Sequence, residues 1–161
     1  MAAQPCPSSD LLINVRRQKP ELIFPAKPTP HEVKFLSDID GQDSLRFHVP
    51  FLFFYRSEPS MAGKDPVKVI RDALAKTLVF YYPLAGRLKE VEGHKLMVEC
   101  NEEGVIFIEA DADVTLEQFG EEIQPPFLCL KDLLHSPAGS EGILHSPILL
   151  IQVLYATLPS F

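Results

Sequence analysis

Tryptophan is absent from the 161 residues, and cysteine is scarce. The three cysteines, Cys6, Cys100 and Cys129, stand far apart and form no Cys-x-x-Cys pair. That spacing argues against a zinc ribbon or a thioredoxin-like site, and no metal is expected. An odd thiol count fits a reducing compartment. The first ten residues have neither a basic start nor an apolar core, so no secretory leader is expected. The longest apolar stretch, near Ile148 to Leu158, contains Gln152 and falls short of the roughly 20 residues a bilayer span needs. Together these absences predict a cytoplasmic chain with no membrane partner. Positive charge is also in short supply. Fifteen Lys and Arg stand against 22 Asp and Glu, a net charge of −7, which argues against nucleic acid and anionic lipid as partners. No glycine-rich phosphate loop occurs, and Gly139-Ser140-Glu141-Gly142 reads as a turn. Ser8, Ser9 and the Ser-Pro pairs at 136–137 and 146–147 lack the glycines of a nucleophile elbow.

What is present is a globular composition, 46% hydrophobic and 23% charged, in a chain long enough to bury one core. Its 15 prolines are nearly twice the usual share of about 5%, which favours a loop-rich α+β chain over a helical bundle. The hydrophobic period switches between two and 3.6 with no fixed repeat, so a solenoid is excluded and a mixed sheet with flanking helices is expected. Residues 1–10 read as a disordered end. Leu11–Val15 reads as a short strand, with a solvated basic run in Arg16–Lys19. Pro20–Pro30 reads as extended loop, Glu32–Leu36 as a single turn and Ser37–Asp43 as an irregular turn. Leu45–Arg56 is the strongest strand candidate. Phe47, Val49, Phe51 and Phe53 face one way, and His48, Pro50, Leu52 and Phe54 the other. Both faces are apolar, which predicts cover on both sides, with a bulge or break at Pro50. Leu88–Val91 and Lys95–Glu99 flank Glu92-Gly93-His94 as a hairpin. Val105–Ala110 is a strand, Thr115–Gly120 a short helix, and Leu128–Leu134 is open between strand and helix. His135–Gly142 is a loop, and Ile148–Val153 a buried strand.

The clearest helix lies in Asp65–Leu88. Pro66 suits a first helical position and Asp65 caps it. Val67, Ile70, Leu74, Thr77 or Leu78, and Tyr81 form an apolar stripe, with Lys68, Arg71, Asp72 and Lys76 off it. Pro83 ends the helix near Tyr81, Gly86 permits a sharp turn, and Arg87 opens the next strand.

Within this stretch, Tyr82-Pro83-Leu84-Ala85-Gly86-Arg87-Leu88 resembles a signature of the plant BAHD acyl-CoA-dependent acyltransferases. Arg16-Arg17-Gln18, Pro28-Thr29-Pro30, Leu36-Ser37-Asp38-Ile39-Asp40 and Glu99-Cys100-Asn101 through Asp113 agree in order. The branch most similar is that of the benzyl alcohol benzoyltransferases and the alcohol acyltransferases of volatile esters. The resemblance implies a first domain similar to chloramphenicol acetyltransferase, α+β with a mixed sheet. It also implies the reaction acyl-CoA plus alcohol to ester plus CoA. Acyl-CoA is then a co-substrate, a small alcohol the second partner, and no cofactor is bound.

Acyl transfer to a neutral hydroxyl needs a base, and histidine suits the task. The family places its base in a His-x-x-x-Asp motif. Four residues after His31, His48, His94, His135 and His145 stand Phe35, Leu52, Val98, Gly139 and Leu149, so the motif is absent. The family's Asp-Phe-Gly-Trp-Gly signature is absent too. The expected organisation is a disordered 1–10, an incomplete N-terminal domain over 11–153 and a divergent tail over 154–161, a truncated chain inactive by itself. By the resemblance, His48, Phe51 and Phe53 approach the acyl acceptor, and no catalytic residue is assigned. Phe51 and Phe53 replace the Ser and Tyr of hydroxycinnamoyltransferase relatives, which points to an apolar or aromatic alcohol. Two rival readings stand beside this one: a non-catalytic binding domain on the same fold, and a catalytic domain with His48 as base. The resemblance also implies apolar surface left bare at an uncovered domain interface, through which the chain is expected to aggregate.

Overall fold

A computed structural model of the chain describes residues 13–119, 133–135 and 142–156. Its first sheet is built on one strand. Val105–Ala112 is apolar or small at most positions, and Val105, Phe107, Ile108, Ala110 and Ala112 are all buried. Burial of consecutive residues means that both faces of this strand are covered. We number the strands β1 (Val15–Arg17), β2 (Glu21–Ile23), β3 (Glu32–Phe35), β4 (Arg87–Val91), β5 (Lys95–Cys100), β6 (Val105–Ala112) and β7 (Leu150–Ala156), with one α-helix, α1 (Pro66–Phe80).

β7 lies parallel to β6, from Ile106 opposite Leu150 to Ala112 opposite Ala156. β1 and β2 are antiparallel to β6 and share its other edge. Arg17 faces Ala110 and Glu21 faces Phe107, so three residues, Gln18 to Pro20, oppose two, Ile108 and Glu109. This is a β-bulge, with the donor-less proline at its end. A second sheet, in the order β3-β5-β4, is antiparallel throughout. The fold is therefore α+β with a mixed sheet, as the alternation of periods predicts.

Helix α1 covers the face of the first sheet that carries Val105 and Phe107. Val67, Leu74 and Leu78 join Phe107, Ile23 and Ala85 in one cluster, with Ile151, Val153 and Tyr155 of β7 against it. The helix begins as read: Asp65 accepts from the Val67 N–H at 2.9 Å, and Pro66 occupies the first turn. The Tyr155 hydroxyl reinforces the cap, accepting from the same N–H at 2.9 Å and donating to Asp65 Oδ1 at 3.1 Å. The buried stripe is rotated from the expected one. Ile70 and Tyr81 are 38% and 61% exposed, whereas Arg71 turns toward the sheet. Its guanidinium lies 5.4 Å from the Phe107 ring centroid and pairs with Glu21. A long side chain can bury its stem and keep its charge at the rim, which a hydrophobic stripe count does not register.

Three further expectations are corrected. Leu45–Arg56 forms no strand. The alternation is real, since Leu52 and Phe54 are half-buried and Phe47, Val49, Phe51, Phe53 and Tyr55 are exposed, but one side has no cover. Pro50 lacks an N–H, and alternation alone does not supply a sheet edge to pair with. Glu32–Phe35 is an edge strand on β5 rather than a turn, with Val33 and Phe35 alternating with Glu32 and Lys34. Pro20–Pro30 contains β2, because Pro20 falls in the bulge where no donor is required. β1 also starts later than read, at Val15, and takes in Arg16 and Arg17. The hairpin and the strand at Val105 stand as predicted. The expectations for residues 1–10, 128–132 and 136–141, and for Gly120, lie outside the described residues. Among those described, no helix is long and apolar enough to cross a membrane.

The face assignment of α1 is testable. Leu74 is 9% exposed against the sheet and Lys76 is exposed. Leu74→Ala is expected to cost about 2–5 kcal/mol, and Lys76→Ala to stay within about 0.5 kcal/mol of neutral. Urea denaturation of both variants measures this, and similar losses would contradict the packing.

Candidate functional site

Three of the segments that carry the resemblance, 82–88, 99–104 and 28–30, meet in space, and there they build a junction rather than a pocket. Tyr82–Ala85 forms one 3-10 turn that brings Ala85 to complete burial. Gly86 is not needed for a sharp turn, since its φ of −89° and ψ of −163° are ordinary extended backbone. It is needed for close approach: a Cβ there would collide with the carbonyl oxygen of Glu99 on β5. Arg87 is 6% exposed and places its guanidinium into the Asn101–Gly104 turn, which joins β5 to β6. It donates to the carbonyls of Gly86 at 2.7 Å, Gly104 at 2.8 Å and Glu103 at 3.2 Å, and its Nε lies 3.0 Å from a Glu103 carboxylate oxygen. Burial lowers its pKa and Glu103 opposes that. Arginine remains cationic regardless. Gly104 adopts φ +83° and donates to the Ala85 carbonyl at 2.9 Å. A Cβ on it would stand 2.7 Å from the Ile23 carbonyl oxygen of β2.

The same turn holds the proline-rich segment. Glu102 accepts from the Thr29 backbone N–H and from the Thr29 hydroxyl at 2.9 Å, with His31 Nε2 3.7 Å away. The Thr29 bonds hold its carboxyl below the usual range, the backbone N–H first. The remaining segments are tied down in similar ways. Arg17 donates to Gln152 Oε1 at 3.0 Å and to the Leu134 carbonyl at 3.1 Å. Residues 16–19 are exposed, as the solvated basic run predicts, and Arg17 bonds at the surface. Ser37 bonds Asp40 at 2.6 Å, and Lys95 reaches Asp38 at 3.5 Å. Arg46 then fastens this loop to the hairpin, donating to the carbonyls of Gly41 and His94 and pairing with Glu90. Arg46, Arg87, Glu102 and Tyr155 were not singled out from the sequence as structural ties. Their only local signal is a long polar side chain beside a turn or strand end.

His48, Phe51 and Phe53 do not form a shared cavity. His48 Nε2 lies 2.9 Å from the carbonyl oxygen of Pro147. A carbonyl only accepts, so Nε2 carries the proton and only Nδ1 is left as a basic nitrogen. No carboxylate bonds His48 among the described residues. Phe51 and Phe53 are each 72% exposed, in the uncovered apolar row. The other candidate histidine pairs are superficial: His31 with Glu102, and His94 Nδ1 with Glu90 at 3.2 Å. A small open depression of about 180 Å³ is lined by residues that include Ser37, Asp38, His94 and Lys95, and by none of the three predicted ones. Among the described residues no His, Cys, Asp or Glu cluster could hold a metal. Cys100 is a free, buried thiol whose pKa is raised by burial.

The Glu102 junction has a signed pH dependence. A carboxyl held below its ordinary pKa in the folded state contributes stability above that value and loses it as pH falls through the folded pKa. Acid unfolding of the native chain is expected to gain steepness below about pH 4.5 from this group, and Glu102→Gln is expected to flatten it. Melting temperatures from pH 7 downward provide the measurement, and an unchanged slope in Glu102→Gln would contradict the assignment.

Comparison with known proteins places the chain in a family. The Transferase family matches residues 13–156. A benzyl alcohol O-benzoyltransferase of Petunia hybrida is 65% identical over 146 residues, covering 91% of this chain and 32% of its own length. A 13-hydroxylupanine O-tigloyltransferase of Lupinus albus is 62% identical over 146 residues, again covering 91% of this chain and 32% of its own length. The chain thus spans about a third of the length of the curated relatives it matches. The crystal structure of vinorine synthase aligns with a TM-score of 0.46 and 29% identity over 65% of this chain and 25% of that one. The family match takes in every described strand, α1 and the Arg87 junction, and the chain belongs to the Transferase family of BAHD acyltransferases.

Proposed function

We propose that this chain supplies the N-terminal scaffold of an acyl-CoA-dependent alcohol O-acyltransferase, and that by itself it transfers no acyl group. The observation that carries the reading is the 65% and 62% identity to two proteins named for moving an acyl group onto oxygen. In the reaction the alcohol oxygen attacks the thioester carbonyl, a base takes the hydroxyl proton, and the CoA thiolate leaves. Here Phe51 and Phe53 offer apolar surface to the alcohol, with His48 on the same segment, in a cytoplasmic enzyme that makes esters. The exposure of both rings supports their availability to a ligand. What the chain lacks is the base, since none of its histidines is followed four residues later by aspartate. A positioned base contributes about 10²–10⁴-fold in rate. Orientation of the two substrates contributes roughly 7–11 kcal/mol more.

Two measurements test this. The purified chain with benzoyl-CoA or acetyl-CoA and benzyl alcohol is expected to release no thiol and form no ester above background. Turnover that His48→Ala abolishes would overturn the reading and make His48 the base. A chimera joining this chain to the non-overlapping remainder of the Petunia hybrida relative is expected to form benzyl benzoate, with Phe51→Ser and Phe53→Ser raising KM for the alcohol. A folded but inactive chimera would favour the non-catalytic binding domain.

A further inference from the structure

Of the eight glycines, only Gly41 follows an aspartate or an asparagine. Asp40-Gly41 lies in the turn over residues 38–41, with Asp40 exposed and Gly41 half-buried. The fold does not require glycine at this position. Gly86 and Gly104 are each fixed by a carbonyl oxygen with no room for a Cβ. Gly41 does not adopt a left-handed φ, and a Cβ on it would meet only the Ser37 carbonyl oxygen at 3.4 Å and the Leu96 nitrogen at 4.0 Å. Alanine fits there in space and in backbone conformation. What glycine changes is access. No side chain stands between the Gly41 nitrogen and the Asp40 carboxyl carbon, two groups that the sequence already holds within reach of each other.

Ser37 keeps those groups apart. Its hydroxyl donates to Asp40 Oδ2 at 2.6 Å and accepts from the Asp40 N–H at 3.2 Å. The Gly41 N–H donates to the Ser37 carbonyl at 3.0 Å. Serine and aspartate three residues apart thus close a single turn in the manner of a capping box. Both the attacking nitrogen and the carboxyl are engaged with Ser37, and the turn must open before they meet. An exposed turn of this length opens locally without unfolding the sheets. Water is at hand, since the open depression beside the hairpin is lined in part by Ser37, Asp38 and Gly41.

We propose that Asp40-Gly41 is a site of spontaneous aspartate isomerisation, timed by the opening of the Ser37 turn. In the acid form of Asp40 the Gly41 nitrogen attacks Cγ. A C–N bond forms, and the carboxyl oxygen leaves as water with the carboxyl and amide protons, closing a five-membered imide. Water then adds to one of the two imide carbonyls. Addition at Cγ restores aspartate. Addition at the α-carbonyl breaks the original peptide bond and leaves the chain running through Cγ, as isoaspartate. Water is lost and regained, so mass and charge are unchanged and no oxidant or cofactor takes part. The product has one more backbone atom at residue 40. That displaces the Gly41 carbonyl, which accepts from Arg46 Nε at 3.3 Å and Nη2 at 3.2 Å. Arg46 also pairs with Glu90 and donates to the His94 carbonyl, so isomerisation loosens the tie between this loop and the β4–β5 hairpin. The site is independent of the acyl-transfer reading.

Incubation of the native chain at neutral pH and physiological temperature tests the proposal. Isoaspartate is located by peptide mapping with electron-transfer fragmentation and counted by methylation with an isoaspartate methyltransferase and S-adenosylmethionine. It is expected to accumulate with time at residue 40 and not at Asp38, which precedes the β-branched Ile39 in the same turn. Gly41→Ala is expected to bring residue 40 down to the level of Asp38. Ser37→Ala is expected to raise the rate. In the isomerised fraction the amides of Gly41 and Gln42, bonded to Ser37 and Ile39 in the native turn, are expected to exchange faster. Exchange of the α1 amides reports whether each variant has folded. No isoaspartate at residue 40 above the level of Asp38, a yield in folded Gly41→Ala equal to that of the native chain, or a rate unmoved in folded Ser37→Ala would each overturn the proposal.

Discussion

A single buried guanidinium joins the two sheets. Arg87 opens β4 in one sheet and donates to the turn that leads into β6 of the other. Its donors satisfy the carbonyls of Glu103 and Gly104 in the turn and of Gly86 beside it, and a buried acceptor left unmade costs about 1–3 kcal/mol. The cation is itself paired with Glu103, so burial does not leave it uncompensated. The neighbours are fitted to this contact. Gly86 lets the backbone approach Glu99, Ala85 accepts from Gly104, and Gly104 lies against Ile23. Thr29 then hangs from Glu102 on the same turn. Remove the guanidinium, and the hairpin, β2, β6 and the proline-rich segment lose their common anchor.

This explains why the most specific motif in the sequence has no reactive group in it. Tyr82–Leu88 is a packing motif: an aromatic turn, a position without room for a Cβ, and a cation that reads backbone carbonyls. A core helix followed by a tight aromatic turn accounts for the stretch physically, and the same stretch carries the resemblance to acyltransferases.

Local chemistry made much of the fold legible. The Asp65-Pro66 cap, the Glu92-Gly93-His94 hairpin turn and the apolar run of β6 follow from short-range rules, and each stands where it was read. What local pattern could not supply was the availability of partners. Leu45–Arg56 alternates more strongly than Glu32–Phe35, yet only the latter lies beside an open edge of β5. Pro20 looked like the start of a loop because a bulge cannot be seen without the opposing strand. Arg71 was placed on the solvent side because its charge hides a stem that covers Phe107. The proposed acceptor residues came from resemblance alone. Their positions, His48 on the Pro147 carbonyl and the two phenylalanines in an uncovered row, depend on long-range packing.

Amide hydrogen exchange on an Arg87→Met variant tests the central claim most directly. The substitution keeps an apolar stem and removes every bond to the turn. If the guanidinium couples the sheets, protection falls together in β4, β5, β2 and β6, while the cap of α1 remains slower to exchange than the turn. If the hairpin alone loses protection and β2 and β6 exchange at the native rate, the two sheets are held together by something other than Arg87, and the account given for the signature is wrong.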